Sequence, residues 1–465
     1  MKINLAKSEI IHFVGIGGIG MSGLALIMKD LGFQVQGSDI LINKNIKRLK
    51  KNKIKVFLGH DRTNIKKATI LVISSAIKFN NIEFKQAKKK NLPIYKRGDV
   101  LAHIVALKKN IVISGSHGKT TTTSLVGSIL SNANLDPTII NGGVINSFDN
   151  SAKLGKSEWS VVESDESDGS FVKLPSTYAI VTNIDREHMD YYKSLVDLKK
   201  HFINFMLKVP SFGKTFLCID DKYNCEILKT IKIKNVLTYG QNKKSNFRIT
   251  NIFYSINQSK FDLKINLPNK KTVKLSNIKI SMIGIHNIRN AAAAIAVSYF
   301  IGVSPSIIKQ SLKNFKGVER RFNKVFNFEG INFYDDYAHH PTEIKCVVNS
   351  VKQSFKNKKI TCIFQPHRIS RLNDLKNHFT KAFKNADTVI LCPIYKAGEN
   401  IKISFDYTNF AKKISKDSNV KVLMAENKFE IANYFKKNIN LHETVIGMGA
   451  GSVSNWIRDL PKLLK

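Results

Sequence analysis

The segment Ile111 to Leu130, IVISGSHGKTTTTSLVGSIL, constrains this chain more than any other stretch. Ile111-Val112-Ile113 has the β-branched composition of a buried strand, and Leu125, Val126, Ile129 and Leu130 recur at helical spacing. Between them, Gly115-Ser116-His117-Gly118-Lys119-Thr120 reads as a turn from strand into helix. Without a Cβ at Gly115 and Gly118, backbone N–H groups at the helix start can converge on phosphate oxygens, where the helix dipole also favours negative charge. Lys119 then reaches the terminal phosphates, and the Thr120 hydroxyl a magnesium ion. Only Ser116 and His117 separate Gly115 from Gly118, so the loop is shorter than the general phosphate-loop pattern. The bland alternative is a tight turn with a solvated lysine, for which the run Thr120 to Thr123 is an odd choice.

A second glycine loop lies near the start. Ile10 to Val14 reads as a strand, Gly15-Ile16-Gly17-Gly18-Ile19-Gly20 satisfies G-x-G-x-x-G, and an apolar helix follows from Met21 to Leu31. Asp39 stands 19 residues after Gly20. The pattern implies a nucleotide with a diphosphate and leaves NAD, FAD and nucleotide sugars equally open. Strands at Val56 to Leu58 and Ile70 to Ile73 place His60 and Ser74 at the crevice of an open sheet. His60 is also explained as an ordinary loop histidine.

Further strand ends carry polar clusters. Val161-Val162 runs into Glu163-Ser164-Asp165-Glu166, and Tyr178 to Thr182 leads to Asn183-Ile184-Asp185-Arg186-Glu187-His188. So many acids beside phosphates repel one another unless a cation sits between them, and Glu163 and His188 are the candidate ligands beside Thr120. The alternative for Glu163 and His188 is a pair of solvated loop residues. Phe261, Leu263, Ile265 and Leu267 alternate with period two, as in a small β-rich part. Gly284 to Asn290 then enters a helix from Ala291 to Phe300, whose first side-chain amides suit an adenine edge. Beyond Arg320-Arg321, strands at Ile331 to Tyr334, Ile360 to Phe364 and Thr388 to Cys392 present polar residues on one rim. A final glycine loop, Gly447 to Ser452, is either part of that rim or a tight turn.

A length of 465 residues suggests about three domains of roughly 150 residues. The formal charge of +39 would by default suggest nucleic acid, but the lysines are spread along the whole chain with no base-stacking motif. We read it as compositional bias whose residual field attracts anionic substrates. Five cysteines without a C-x-x-C pair suggest neither a disulfide frame nor a zinc knuckle, and a reducing compartment. The apolar run from Ile10 to Met28 contains five glycines and reads as strand, turn and helix rather than a membrane segment.

In order and spacing, GIGGIGMSG, GSHGKTTT, ESDESDGSF, TNIDREHMD, GIHNIRN, RRF, DDYAHHPTE and QPHR resemble the Mur ligases, in their alanine-adding branch, over nearly the full length. The resemblance implies an α/β fold of three domains. These are a Rossmann-like UDP-sugar domain (1–108), a central P-loop ATPase-like parallel sheet with a small β-rich part (109–317), and a C-terminal Rossmann-like amino-acid domain (318–465).

The activity implied is ATP-dependent ligation of L-alanine to the carboxylate of UDP-N-acetylmuramate through an acyl phosphate. That is a step of peptidoglycan precursor synthesis, with Mg2+, or Mn2+ in its place. A cytoplasmic monomer or homodimer with no nucleic-acid or membrane partner is expected. UDP-sugar contacts are expected from Gly15, Gly17, Gly18, Gly20, Asp39, His60 and Ser74. ATP contacts are expected from Gly115, Ser116, His117, Gly118, Lys119, Thr120 and Thr121, with His286, Asn287 and Asn290 near adenine and Arg321 beside the phosphoryl group. Thr120, Glu163 and His188 would hold the metal. Tyr337, His339, His367, Arg368 and Arg371 would surround the acyl phosphate and alanine. The residues expected to act in the chemistry itself are Lys119, His188, Arg321, His339 and Arg368. His340 is read as a cap for the helix after Pro341.

The chain departs from the family's usual loop in having Ser116 where threonine is common. Its Phe202-Ile203-Asn204-Phe205 offers no lysine for the carbamylated position of later Mur ligases. Three competitors stay open: a recycling ligase attaching a murein peptide to the same sugar, a nicotinamide-dependent oxidoreductase, and a nucleic-acid-binding protein.

Overall fold

The computed structural model describes residues 9–74, 76–106, 108–147, 150–231, 235–268, 270–399, 405–438 and 442–465. Its strands form three sheets, mixed with helices in an α/β arrangement. The N-terminal sheet contains β1 (Ile10–Val14), β2 (Gln34–Asp39), β3 (Lys55–Leu58), β4 (Ile70–Ile73) and β5 (Ile94–Lys96), all parallel, in the order β3-β2-β1-β4-β5. The order reverses at β1, and in such sheets ligands settle at that switch point, outside the carboxyl ends of the strands.

The central sheet comprises β6 (Lys109–Ser114), β7 (Thr138–Ile145), β8 (Asn150–Lys153), β9 (Trp159–Glu163), β10 (Tyr178–Val181), β11 (Lys214–Cys218) and β12 (Val236–Gly240), extended by β13 (Phe247–Ser255), β14 (Gln258–Ile265) and β15 (Val273–Ile280). Its order is β15-β14-β13-β12-β11-β10-β6-β9-β7-β8. Strand β6 runs parallel between β10 and β9, so the clusters that follow these strands emerge on both sides of the phosphate loop. Burial on both faces explains its apolar run: Ile111, Val112 and Ile113 are fully buried.

The third sheet holds β16 (Asn323–Phe328), β17 (Ile331–Asp336), β18 (Lys359–Phe364), β19 (Thr388–Leu391), β20 (Lys421–Met424) and β21 (Glu443–Met448), ordered β16-β17-β21-β18-β19-β20. Among the described residues of this sheet, only the edge strand β16 is antiparallel to its neighbour. Strand β21 lies between β17 and β18, which brings the last glycine loop into the middle of the rim.

The chain divides into two compact units. The first comprises Met1–Thr250, Asp262–Ile278 and Arg289–Lys316, and the second Asn251–Phe261, Lys279–Ile288 and Gly317–Lys465. Within the first unit one apolar cluster joins the N-terminal and central sheets, from Ile11 and Phe13 through Met28 and Val105 to Val112, Phe171 and Phe202. Two helices differ from their sequence expectations. The first begins at Ile19, after the cap Gly18, which puts Gly20 inside its first turn. The helix expected from Ala291 begins at Ile285, so most of GIHNIRN is helical. Polar side chains are tolerated there because first-turn N–H groups lack intrahelical partners.

Candidate active site

The phosphate loop lies between β6 and the helix Lys119–Asn132. Gly115 (φ +132°) and Gly118 (φ +84°) adopt backbone conformations that side chains disfavour. A Cβ on Gly115 would meet Thr182 Oγ1 at 2.1 Å, and one on Gly118 would meet Asn290 Oδ1 at 2.5 Å. The loop is laced to the segment after β10. Ser116 N–H donates to Asn183 O (2.9 Å), His117 N–H to Asn183 Oδ1 (2.9 Å), and Asp185 N–H to Ser116 Oγ (2.8 Å). His117 Nε2 sits 2.9 Å from Asp185 Oδ2, which orients the imidazole.

Lys119 arches back over its own loop. Its ammonium donates to Gly115 O (2.6 Å) and Ser116 O (3.1 Å) and pairs with Glu166 Oε2 at 2.7 Å. Burial would lower the lysine, but Glu166 and Asp165 outweigh it and hold the ammonium charged. Glu166 is pushed up to about 8, by burial first and by Asp165 and Glu187 after it, against the pull of Lys119. Asp165 stays below the ordinary carboxylate range because Lys119, the Ser167 N–H, His188 and Arg97 outweigh its burial.

The expected metal ligands fall into two adjacent groups. Thr120 Oγ1 donates to Glu163 Oε1 at 3.1 Å, and Glu163 Oε2 accepts from Gly142 N–H at 2.6 Å. Burial raises Glu163, with Lys119 opposing. His188 is grouped instead with Asp165 and Glu166, their ligand atoms lying within 4.8 Å of one another. His188 has a left-handed backbone (φ +57°), a conformation retained in non-glycine residues where surrounding structure enforces it. Thr121 is buried in the first turn of the helix.

Around the N-terminal loop, Gly17 N–H donates to Asp39 Oδ2 at 2.8 Å, so Asp39 fastens the loop. A Cβ on Gly15 would stand 3.3 Å from Ser74 Cβ, and Gly18 caps the following helix. His60 Nδ1 faces Ser38 Oγ (3.0 Å) and buried Glu83 Oε2 (3.1 Å). This ties one ring nitrogen into a polar network beneath the crevice.

Asn290, in the first unit, abuts Gly118. His286 and Asn287, one turn earlier, belong to the second unit, where His286 Nδ1 lies 3.5 Å from Ser350 Oγ and Asn287 Nδ2 donates to Ile283 O.

The second unit gathers the C-terminal candidates. Tyr337 and His339 meet edge to face (centroids 5.1 Å), and His339 meets His367 likewise (5.6 Å). Arg371 Nη1 lies 3.3 Å from His367 Nδ1, and Arg368 Nε lies 3.6 Å from Glu399 Oε1. Burial, then His339 and the surrounding arginines, push His367 down to about 3, so its ring is neutral in neutral solution. The guanidinium of Arg321 lies over Tyr337 at 5.4 Å and 3.9 Å from Glu343 Oε1. His340 caps the helix Pro341–Ser354, its Nδ1 accepting from Thr342 N–H at 3.3 Å.

Other residues pack against these candidate side chains without being singled out by the sequence. Glu166 lies in ESDESDGSF, but the strand ends at Glu163, so the pattern points to Glu163 instead. Arg320, stacked on Tyr337 at 4.7 Å and donating to Gly449 O, was visible beside Arg321. Tyr395, stacked on His367, and Gln365, which accepts from Val453 N–H at 3.0 Å, carried no separate signal.

Comparison with known proteins matches each region. Residues 10–109 match the sequence model of the Mur ligase family, catalytic domain, residues 113–298 that of the Mur ligase middle domain, and residues 320–451 that of the Mur ligase glutamate ligase domain. A UDP-N-acetylmuramate–L-alanine ligase of Pelagibacter ubique is 63% identical over 464 residues, covering 100% of both chains. The enzyme of that name from Bartonella bacilliformis is 40% identical, covering 100% of this chain and 98% of its own. The crystal structure of a UDP-N-acetylmuramate-alanine ligase from Thermotoga maritima superposes with a TM-score of 0.82 at 28% identity, over 97% of this chain and 98% of that one. A murein peptide ligase from Psychrobacter arcticus shares the fold, with a TM-score of 0.73 at 22% identity over 98% of both chains.

Proposed function

The chain belongs to the Mur ligase family, and from that premise we propose how its residues divide the work: it joins L-alanine to the carboxylate of UDP-N-acetylmuramate while ATP becomes ADP and phosphate. The observation that carries this reading is the presence of two strand-glycine-helix loops in one compact unit, after β1 and after β6. An oxidoreductase needs only the first. The functional division is 1–108 for the UDP-sugar, 109–317 for ATP and 318–465 for the amino acid.

A carboxylate is a poor acyl donor because its leaving group would be an oxide. Its oxygen therefore attacks the γ-phosphorus, the bond to ADP breaks, and an acyl phosphate forms. The neutral amine of alanine adds to that carbonyl carbon, the tetrahedral adduct loses phosphate, and the amine's proton leaves to solvent or a nearby base. Catalysis of this kind is positioning and charge neutralisation. Lys119, held charged over the loop carbonyls, balances the transferring phosphoryl group. In the second unit, Arg321, Arg368 and Arg371 offer guanidinium forks suited to a phosphate or to alanine's carboxylate. Tyr337, His339 and His367 form the wall beside them.

The oxygen-rich pair of Thr120 Oγ1 and Glu163 Oε1, 3.1 Å apart, and the neighbouring Asp165, Glu166 and His188 suit a hard divalent cation. Magnesium there would neutralise phosphate oxygens. Among the described residues no helix is long and apolar enough to cross a membrane. We place the enzyme in the cytoplasm, with the ATP and UDP-sugar it consumes, as a monomer or homodimer.

The test is phosphate release from ATP in the presence of UDP-N-acetylmuramate, comparing L-alanine, L-serine, glycine and a murein tripeptide. Release with L-alanine is expected. Preference for the tripeptide would favour the recycling ligase, and release independent of the UDP-sugar would refute both.

A further inference from the structure

We propose that Arg97 grips the sugar-linked phosphate of the UDP moiety and so fixes where the acceptor carboxylate is presented. This deepens the reading of the N-terminal loop as a UDP-sugar cradle and rests on it.

Arg97 opens the helix Arg97–Val105 directly after β5. Its side chain lies on Gly20, where a Cβ would stand 3.3 Å from both Cδ and Nη1 of the arginine. Gly20 is in the first turn of the helix Ile19–Asp30, whose leading N–H groups have no partner within the helix and favour an anion. The loop supplies no cation of its own: from Gly15 to Met28 there is neither lysine nor arginine. It does bring an acid, since Asp39 accepts from Gly17 N–H. A dianionic diphosphate beside Asp39 calls for a cation at the same helix start, and Arg97 is there.

Arg97 and the glycine loop belong to one compact unit. The two residues that follow Arg97 anchor the start of this helix to the segment Ser170–Lys173. Gly98 closes on Ser170, where a Cβ would meet Cβ at 2.9 Å, and Asp99 Oδ1 pairs with Lys173 Nζ at 3.0 Å. Among the described residues its guanidinium makes no hydrogen bond and no ion pair within 4.0 Å, so a planar fork of donors is left for a ligand.

The experiment compares UDP with UMP, which lacks the sugar-linked phosphate, by calorimetric titration of the full-length protein. The wild type is expected to bind UDP more tightly than UMP. Arg97→Ala is expected to lose about 10- to 100-fold for UDP and little for UMP, the range of a charge-assisted hydrogen bond. ATP affinity should be unchanged, which serves as the folding control. In turnover, KM for UDP-N-acetylmuramate should rise with KM for ATP unaltered. Arg97→Lys, which keeps charge but not the fork, should lose part of the discrimination. Equal weakening of UDP and UMP, or an unaltered UDP-to-UMP ratio in either variant, overturns the proposal. A wild type that binds neither nucleotide would instead sink the UDP-sugar reading itself.

Discussion

The ammonium of Lys119 and the carboxylate of Glu166 lie 2.7 Å apart, and the same ammonium reaches the carbonyls of Gly115 and Ser116. The loop lysine is thus held in place by an acid whose own ionisation is resisted by burial and by Asp165. Lys119→Ala should cut ATP-dependent ligation by about 1,000-fold or more, the scale of losing a charge aimed at a transferring group. UDP affinity should change less than about twofold, because that cradle stands on another sheet. Calorimetry with UDP and a phosphate-release assay check both halves. Joint loss would argue against separate sites.

Gly118 combines a left-handed backbone with a close approach to Asn290. Gly118→Ala should raise KM for ATP about tenfold or more, since conformational strain and a displaced Asn290 together cost about 1–3 kcal/mol. Adding Asn290→Ala should relieve the clash but not the strain, so recovery should be partial. Steady-state kinetics of the two variants decide it. An unchanged KM in Gly118→Ala would mean that the loop tolerates a side chain.

Glu83 is fully buried, yet held down at about 2. Burial alone would raise it; the His12 imidazole 3.5 Å away and hydrogen bonds from Ser38 and Asn64 outweigh that, the last at 2.6 Å. An acid depressed by folding adds stability above its unfolded value of 4.5, and that stability is lost as pH falls through about 2. About 3 kcal/mol is involved. Urea midpoints should fall between pH 4.5 and 2 in the wild type, and Glu83→Gln should be less stable at neutral pH with a shallower acid limb. Parallel acid limbs would show that other groups dominate.

Much of the fold was legible because its period is short. Ile111 to Ile113 and Leu125 to Leu130 announce strand and helix, and each glycine loop marks the junction. The placement of Glu163, His339 and His367 at strand ends followed from the same pattern. Pairings set by tertiary packing were not legible. Nothing local tells that His188 joins Asp165 and Glu166 rather than Glu163. Nor does sequence tell that β21 enters between β17 and β18, bringing Gly449 to Arg320, or that Arg97 comes to rest on Gly20 from 77 positions away.

The central claim is that ATP activates the sugar acid rather than the amino acid. UDP-N-acetylmuramate carrying 18O in its carboxylate, turned over with ATP and L-alanine, tests it most directly. Attack by that carboxylate on the γ-phosphorus predicts one 18O atom in each phosphate released, measured by mass spectrometry. Unlabelled phosphate accompanying amide formation would contradict the account.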